Sequence, residues 1–238
     1  MRVLFSALYK MGSESPGKDG PVLLTSASEL SSLGYFQRRT VAEMMLFFSR
    51  QFAKGAKEPG QRSSVKEQGY LCHVYVSPAG VVAACFADEE YPTRVAFGYL
   101  SKLCEDFLQV TGGNLATANS DGAFDSAFQA THTKLLTQFQ DPAQADQLTR
   151  IMAELEQTKL VLHETIEAAL ERGTKIDTLI NKSNDLSGSS KMFFKTAKKQ
   201  NQCCTFIAKQ RGTAVAIITN ARPYGMVQAK ATHYNGIR

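Results

Sequence analysis

Apolar positions from Met1 to Gln140 switch between the two-residue period of strands and the 3.6-residue period of helices. Residues 2–9 and 22–27 read as strands joined by a Gly/Pro/Ser-rich loop from Lys10 to Pro21. No period runs through Ser31–Phe36. Thr40-Val-Ala-Glu43 then has the form of a capping box, predicting a helix to about Ala53. Val41, Met44, Met45, Phe48 and Phe52 share one face of that helix, with Phe47 at its margin. A polar, basic loop from Lys54 to Ser64 leads to two strands, 70–77 and 80–88, reversed at Pro78-Ala-Gly80. Pro92 opens a helix with Val95, Leu100, Leu103, Phe107 and Leu108 apolar, ending at Gly112-Gly113. A weaker helix falls near Phe124–Phe139, before Asp141-Pro142. The pattern predicts one α+β domain over residues 1–140, five strands at most with flanking helices.

Beyond Pro142 the character changes. From 143 to 202 proline is absent, glycine occurs only at Gly173 and Gly188, and charged and amide residues separate the apolar ones. Stepping by three and four from Leu148 gives Leu148, Ile151, Leu155, Thr158, Leu162, Thr165, Ala169, Arg172, Ile176, Leu179, Ser183, Leu186, Ser190, Phe193, Ala197 and Gln200. Ten of these sixteen are apolar, a narrow seam that a solvated helix has no reason to keep. A 3.5-residue repeat this long predicts a coiled coil, as a rod of roughly 80 Å. Arg172 interrupts the seam at its middle. A guanidinium there either finds acceptors on partner helices or snorkels out of a loose homomeric coil. Residues 205–238 show neither heptad nor fold pattern and are expected to be poorly ordered.

Charge follows the same division. The chain carries +5, yet the nine basic residues after Asp185 face no acid, so Met1–Asp185 holds a net of −4. A mildly acidic body with a basic tail does not describe a nucleic-acid binder, and the basic 54–66 loop lacks interleaved aromatics. No apolar run reaches the length of a membrane span, and the N-terminus lacks a signal-peptide pattern. Cys72, Cys85 and Cys104 sit inside apolar segments, as reduced thiols do, while Cys203 and Cys204 form a doublet in a basic stretch.

An arginine-centred heptad region after an α+β domain of this strand order resembles the R-SNAREs that carry an N-terminal longin domain, and among them the prenylated synaptobrevin-like group lacking a transmembrane helix. The resemblance covers residues 1–204. It rests on Ser64-Val-Lys-Glu-Gln-Gly-Tyr-Leu-Cys-His-Val-Tyr-Val76, Ala87-Asp-Glu-Glu-Tyr-Pro-Thr-Arg-Val-Ala-Phe97, Leu162-His-Glu-Thr-Ile166, Leu170-Glu-Arg-Gly173 and Lys191-Met-Phe-Phe-Lys-Thr-Ala-Lys-Lys-Gln-Asn-Gln-Cys-Cys204. It implies a longin domain over 1–140 (a profilin-like fold), a v-SNARE coiled-coil motif over 143–202, and a lipidation doublet with an atypical extension over 203–238. Arg172 becomes the central layer of a parallel four-helix bundle, meeting one glutamine from each of three Q-SNARE helices. Leu148, Ile151, Leu155, Leu162, Ala169, Ile176, Leu179, Leu186, Phe193 and Ala197 become its apolar layers. Cys203 takes the palmitoyl and Cys204 the prenyl group, with the Lys191–Lys199 stretch against an anionic membrane. A prenyl signal is read at a free C-terminus, and here the chain runs on from Ile207 to Arg238. The expectation is therefore that 205–238 does not belong to the mature protein, the alternative being an unanchored inhibitory form. The resemblance further implies that the longin domain folds back on the SNARE segment through a groove of its first helix and third strand, with Phe47 holding the closed state. The implied setting is the cytoplasm, cycling to Golgi, vesicle and endolysosomal membranes.

Other candidates yield little. Gly12-Ser-Glu-Ser-Pro-Gly-Lys18 nearly spells a P-loop, but Asp19 replaces the metal-binding hydroxyl and a strand follows where a helix must start. Cys72 and His73, neighbours on a strand, point to opposite faces. His132, His163 and His233 form no ligand spacing, and Asp88-Glu-Glu90 reads as a solvated turn. No catalytic residue, metal, cofactor or small-molecule substrate is expected. A thiol-dependent palmitoyl transfer, linked to this group, lacks a base-oriented thiol here.

Overall fold

The computed structural model describes residues 1–67, 69–143, 145, 160–170 and 175–199. Strands β1 (Val3–Lys10) and β2 (Leu23–Ser28) form the first hairpin, followed by helix α1 (Tyr35–Gly55). Strands β3 (Arg62–Glu67), β4 (Tyr70–Val76) and β5 (Val81–Asp88) form an antiparallel meander, and helices α2 (Thr93–Thr111) and α3 (Asp125–Gln138) close the domain. After it come strand β6 (Leu160–His163), a single turn α4 (Ile166–Ala169), and helices α5 (Ile176–Lys182) and α6 (Gly188–Lys199).

The sheet order is β2-β1-β5-β4-β3-β6. Period-two alternation splits its side chains between two cores. Ala7, Tyr9, Cys72, Val74, Val76, Val82 and Ala84 pack under α1. Val3, Leu8, Val81, Ala83, Cys85 and Ala87 pack under α2 and α3. Cys72 and His73 thus do face opposite sides, the thiol toward α1 and the imidazole edge-on to Phe97 of α2, ring centroids 5.2 Å apart. Gly80, at φ 80°, makes the expected β4–β5 reversal.

Three local expectations are corrected. Helix α1 starts at Tyr35 instead of Thr40, so Thr40 and Glu43 lie inside it and form no capping box. The polar stretch before Tyr70 contains a full strand, β3, whose polar residues are explained by their neighbours. Arg62 lies over the rings of Tyr75 and Phe97 at 5.4 and 5.9 Å, and Ser64 Oγ shares a hydrogen bond with His73 Nδ1 at 2.7 Å. Asp88 is buried rather than solvated, with the N-terminal ammonium 3.3 Å away.

The largest difference concerns residues 160–199. The residues described there, 160–170 and 175–199, form a strand and three short helices instead of one rod, and β6 adds a sixth strand to the expected five. The physical reason lies in the seam: a lone amphipathic helix leaves its apolar stripe in water, whereas this segment buries part of that stripe on its own domain.

Candidate functional site

Helix α1 and the edge strand β3 present one continuous surface, and the C-terminal segment lies along it. β6 pairs with β3 in parallel, placing Ser63 opposite Val161 and Val65 opposite His163. That ladder covers the β3 edge, which otherwise offers unpaired backbone groups to any strand. Past the turn, Ile166, Ile176, Ile180, Leu186 and Phe194 join the core beneath α1. Phe194 stands 6.5 Å from the ring of Phe48, which stacks on Phe52 at 6.3 Å. A cleft of about 330 Å³ remains where the end of α1, β3 and α4 meet, lined by Phe52, Ala56, Val65, Val161 and Ala169 among others.

Polar fasteners hold the apolar seam in register. Glu43, partly buried on α1, accepts from the Ser187 backbone N–H at 3.0 Å and from Ser190 Oγ at 2.7 Å. Its carboxylate therefore sits at the N-terminus of α6, where the helix dipole favours negative charge. Burial alone would raise the Glu43 carboxyl. The bonds from Ser187 and Ser190, with Arg39 at 3.0 Å, outweigh it and hold the group at about 2. Two turns further along, the fully buried side chain of Arg50 pairs through Nε with Asp185 at 3.0 Å and through Nη2 with Asp121 at 2.6 Å. Lys18 bridges the same two carboxylates at 2.7 Å and 3.0 Å.

The described part of the chain contains no helix long and apolar enough to cross a membrane. A family model described as a regulated-SNARE-like longin domain matches residues 30–132, and the synaptobrevin family model matches residues 147–219. The VAMP-like protein YKT61 of Arabidopsis thaliana is 41% identical over 193 residues, covering 81% of this chain and 94% of its own length. The synaptobrevin homologue ykt6 of Schizosaccharomyces pombe is 44% identical over 182 residues, 76% of this chain and 90% of its own. That of Yarrowia lipolytica is 41% identical over 204 residues, 83% and 98%.

The chain belongs to the longin-domain R-SNARE family.

With that, the groove is a contact between the longin domain of an R-SNARE of vesicle transport and its own SNARE segment. The seam positions can be placed individually. Ile176 and Leu186 are buried in the groove, while Leu179 and Ala169 are half-buried against it. Leu162 lies on β6 and is about half exposed. Phe193 is half-buried, and it is its neighbour Phe194 that enters the core, a one-residue turn of the helix relative to the heptad register. Leu148, Ile151, Leu155, Arg172, Cys203 and Cys204 lie outside the described residues, as does the side chain of Ala197. Phe47 is buried and edge-on to Phe48 at 5.2 Å, so it supports the ring that meets Phe194.

Sequence reasoning missed Glu43, Arg50, Asp121 and Asp185 as groove residues. Glu43 did carry a legible signal, an acid at capping spacing. The helix it caps is not its own but α6, which begins at Gly188.

Proposed function

We propose that this R-SNARE switches between a closed form, with the SNARE segment laid in the longin groove, and an open form that zippers with three Q-SNARE helices into a parallel bundle, docking and fusing membranes. One observation carries the reading. Ile176 and Leu186, which a bundle needs for its layers, are buried in the α1-side core, and Phe194, neighbour of the layer residue Phe193, packs on Phe48, so groove and bundle compete for one stripe. Asymmetric packing suits the small seam residues Thr165, Ser183 and Ser190, which leave room for larger partners. Arg172 would meet three amide oxygens, an arrangement that satisfies a buried guanidinium and gives the bundle its register. Zippering is coupled folding and binding, with the ordering cost met by apolar burial, and it needs no bond chemistry.

Attachment to a membrane follows from the doublet. A palmitoyl group on Cys203 and a prenyl group on Cys204 together give stable anchoring where one gives only transient contact, and the Lys191–Lys199 stretch adds attraction to anionic lipid. In the closed form the cleft beside Phe52 and Val161 is the place for a lipid chain. Cycling between cytoplasm and Golgi, vesicle and endolysosomal membranes is the corresponding localisation.

Mixing the full chain with three glutamine-bearing SNARE helices tests the reading. The expected result is a gain in helicity and a heat-resistant four-part complex, weakened by Arg172→Ala. Failure to assemble, or a homodimer indifferent to Arg172, refutes it. Intact mass of the native protein tests both lipids.

A further inference from the structure

The near-P-loop hairpin between β1 and β2 has an unassigned role, and the ion cluster supplies one. Lys18, from that hairpin, and Arg50, from α1, converge on two carboxylates of different origin. Asp121 belongs to the longin domain and is built in: it accepts from Ser15 Oγ at 2.8 Å, from the Leu23 backbone N–H at 2.9 Å and from Arg50 Nη2 at 2.6 Å. Asp185 belongs to the SNARE segment and is held differently. Its two oxygens stand 3.0 Å from Lys18 Nζ and 3.0 Å from Arg50 Nε, yet neither Asp185 Oδ1 nor Arg50 Nε has an aligned hydrogen bond. Asp185 is held by these two cations.

The pocket itself is prebuilt on the longin side. Arg50 Nη1 donates to the Pro21 carbonyl at 2.6 Å, and its guanidinium carbon lies 5.7 Å from the centre of the Tyr9 ring. Gly20, at φ 134°, lets the hairpin close over the arginine, since a Cβ there would stand 2.9 Å from Arg50 Cγ. All these contacts lie within the longin domain, so Arg50 keeps its position when the SNARE segment leaves. What departs is one negative charge. Two cations then share Asp121 alone, and the Arg50 Nε that faced Asp185 is left without an anionic partner of its own.

We propose that Lys18 and Arg50 form a carboxylate-binding site of the longin domain, filled in cis by Asp185 in the closed chain and open in trans to an aspartate or glutamate side chain of a partner protein once the segment leaves. The proposal rests on the closed-to-open reading above. The charge balance selects the ligand class: with Asp121 retained, the site carries one net positive charge, matching a carboxylate, whereas a dianionic phosphate would press against Asp121. Leu186, the next residue along, is buried in the α1-side core, so the fitting partner presents an acid followed by a leucine.

Chemical rescue in the full chain, without any partner SNARE, tests the site alone. Asp185→Ala should speed amide hydrogen exchange across 187–196 by about tenfold or more, since it takes from Lys18 and the buried Arg50 one of the two carboxylates they share. Sodium formate should restore most of the protection, sodium chloride at equal ionic strength should not, and Lys18→Met in the same chain should abolish the formate effect. If Asp185→Ala also loses protection in β1–β5, Asp185→Ser, which stays polar and still leaves room for formate, takes its place. Equal effects of formate and chloride, or better rescue by phosphate than by formate, overturn the proposal. Failure of bundle assembly would bear on the closed-to-open reading and leave this result intact.

Discussion

Glu43→Ala isolates the grip on α6 from the apolar seam. The substitution removes a carboxylate that accepts from the Ser187 N–H at 3.0 Å and from Ser190 Oγ at 2.7 Å, while Arg39, its other partner, is exposed and loses little. Ser190 is fully buried, so its hydroxyl would lose its acceptor and keep only the bond from Ser187 Oγ at 3.2 Å. Hydrogen bonds to a charged group contribute about 1.5–3 kcal/mol each, and exposure of the carboxylate trims the pair to about 3 kcal/mol. Linkage gives a figure of the same size: depression of the carboxyl from 4.5 to about 2 corresponds to about 3 kcal/mol at neutral pH. That figure is an upper bound for segment release, since Arg39 stays beside Glu43 when the segment leaves. Opening of the Ser187–Phe194 stretch should therefore rise by at most about 100-fold. Amide hydrogen exchange read by mass spectrometry measures it. Glu43→Gln should fall between wild type and Glu43→Ala, because the amide oxygen still accepts but carries no charge. The sign with pH is fixed as well. A carboxyl whose pKa is lowered in the closed form stabilises that form fully above about 4.5, and the contribution fades as pH falls from there toward 2. Unchanged protection at Ser187–Phe194 in Glu43→Ala, with the longin domain intact, would show that Glu43 does not hold α6.

Three further outcomes follow from the packing. Phe194→Ala removes the ring against Phe48 and should release α6 while leaving the melting transition of the longin domain within a few degrees, read by calorimetry beside exchange at 187–194. Val161→Pro deletes a backbone donor within the β3–β6 stretch and should deprotect Ser63–Val65 along with β6, a pattern that exchange resolves by segment. Acid should destabilise the longin domain itself. Burial holds His73 at about 4 and pushes His132 well below its ordinary value, so both stay neutral when folded but charge when unfolded. Stability is then complete above about 6.5 and is lost as pH falls through the range between. Tm should drop between pH 7 and 4, and His132→Phe should flatten the drop even if it lowers Tm at pH 7 by breaking the bond to Ser6 at 2.8 Å.

Elements that announce themselves through local period were legible: both hairpin strands, β4, β5, α2 and α3 fall near their expected bounds. β3 was not, because Arg62, Ser63 and Ser64 are polar on both faces, and their partners His73, Tyr75 and Phe97 are known only once the sheet is assembled. The seam after Leu148 was legible as an apolar stripe but not in its use. A heptad repeat states that the stripe needs a partner, and a period cannot say whether that partner is three other helices or the groove beside α1. Hence Leu162 turns up on a strand and Phe194, not Phe193, in the core. The ion cluster was hidden for another reason. Lys18, Arg50, Asp121 and Asp185 lie far apart along the chain, each looks like an ordinary surface charge, and only the fold gathers them.

If groove and bundle compete for one apolar stripe, the rate at which the full chain joins three Q-SNARE helices is set by how often the groove lets go. Measured by the rise in helicity after mixing, Glu43→Ala and Phe194→Ala should assemble faster than wild type, in proportion to how far each speeds exchange at Ser187–Phe194. Rates that stay at the wild-type value while the segment is demonstrably released would contradict the account.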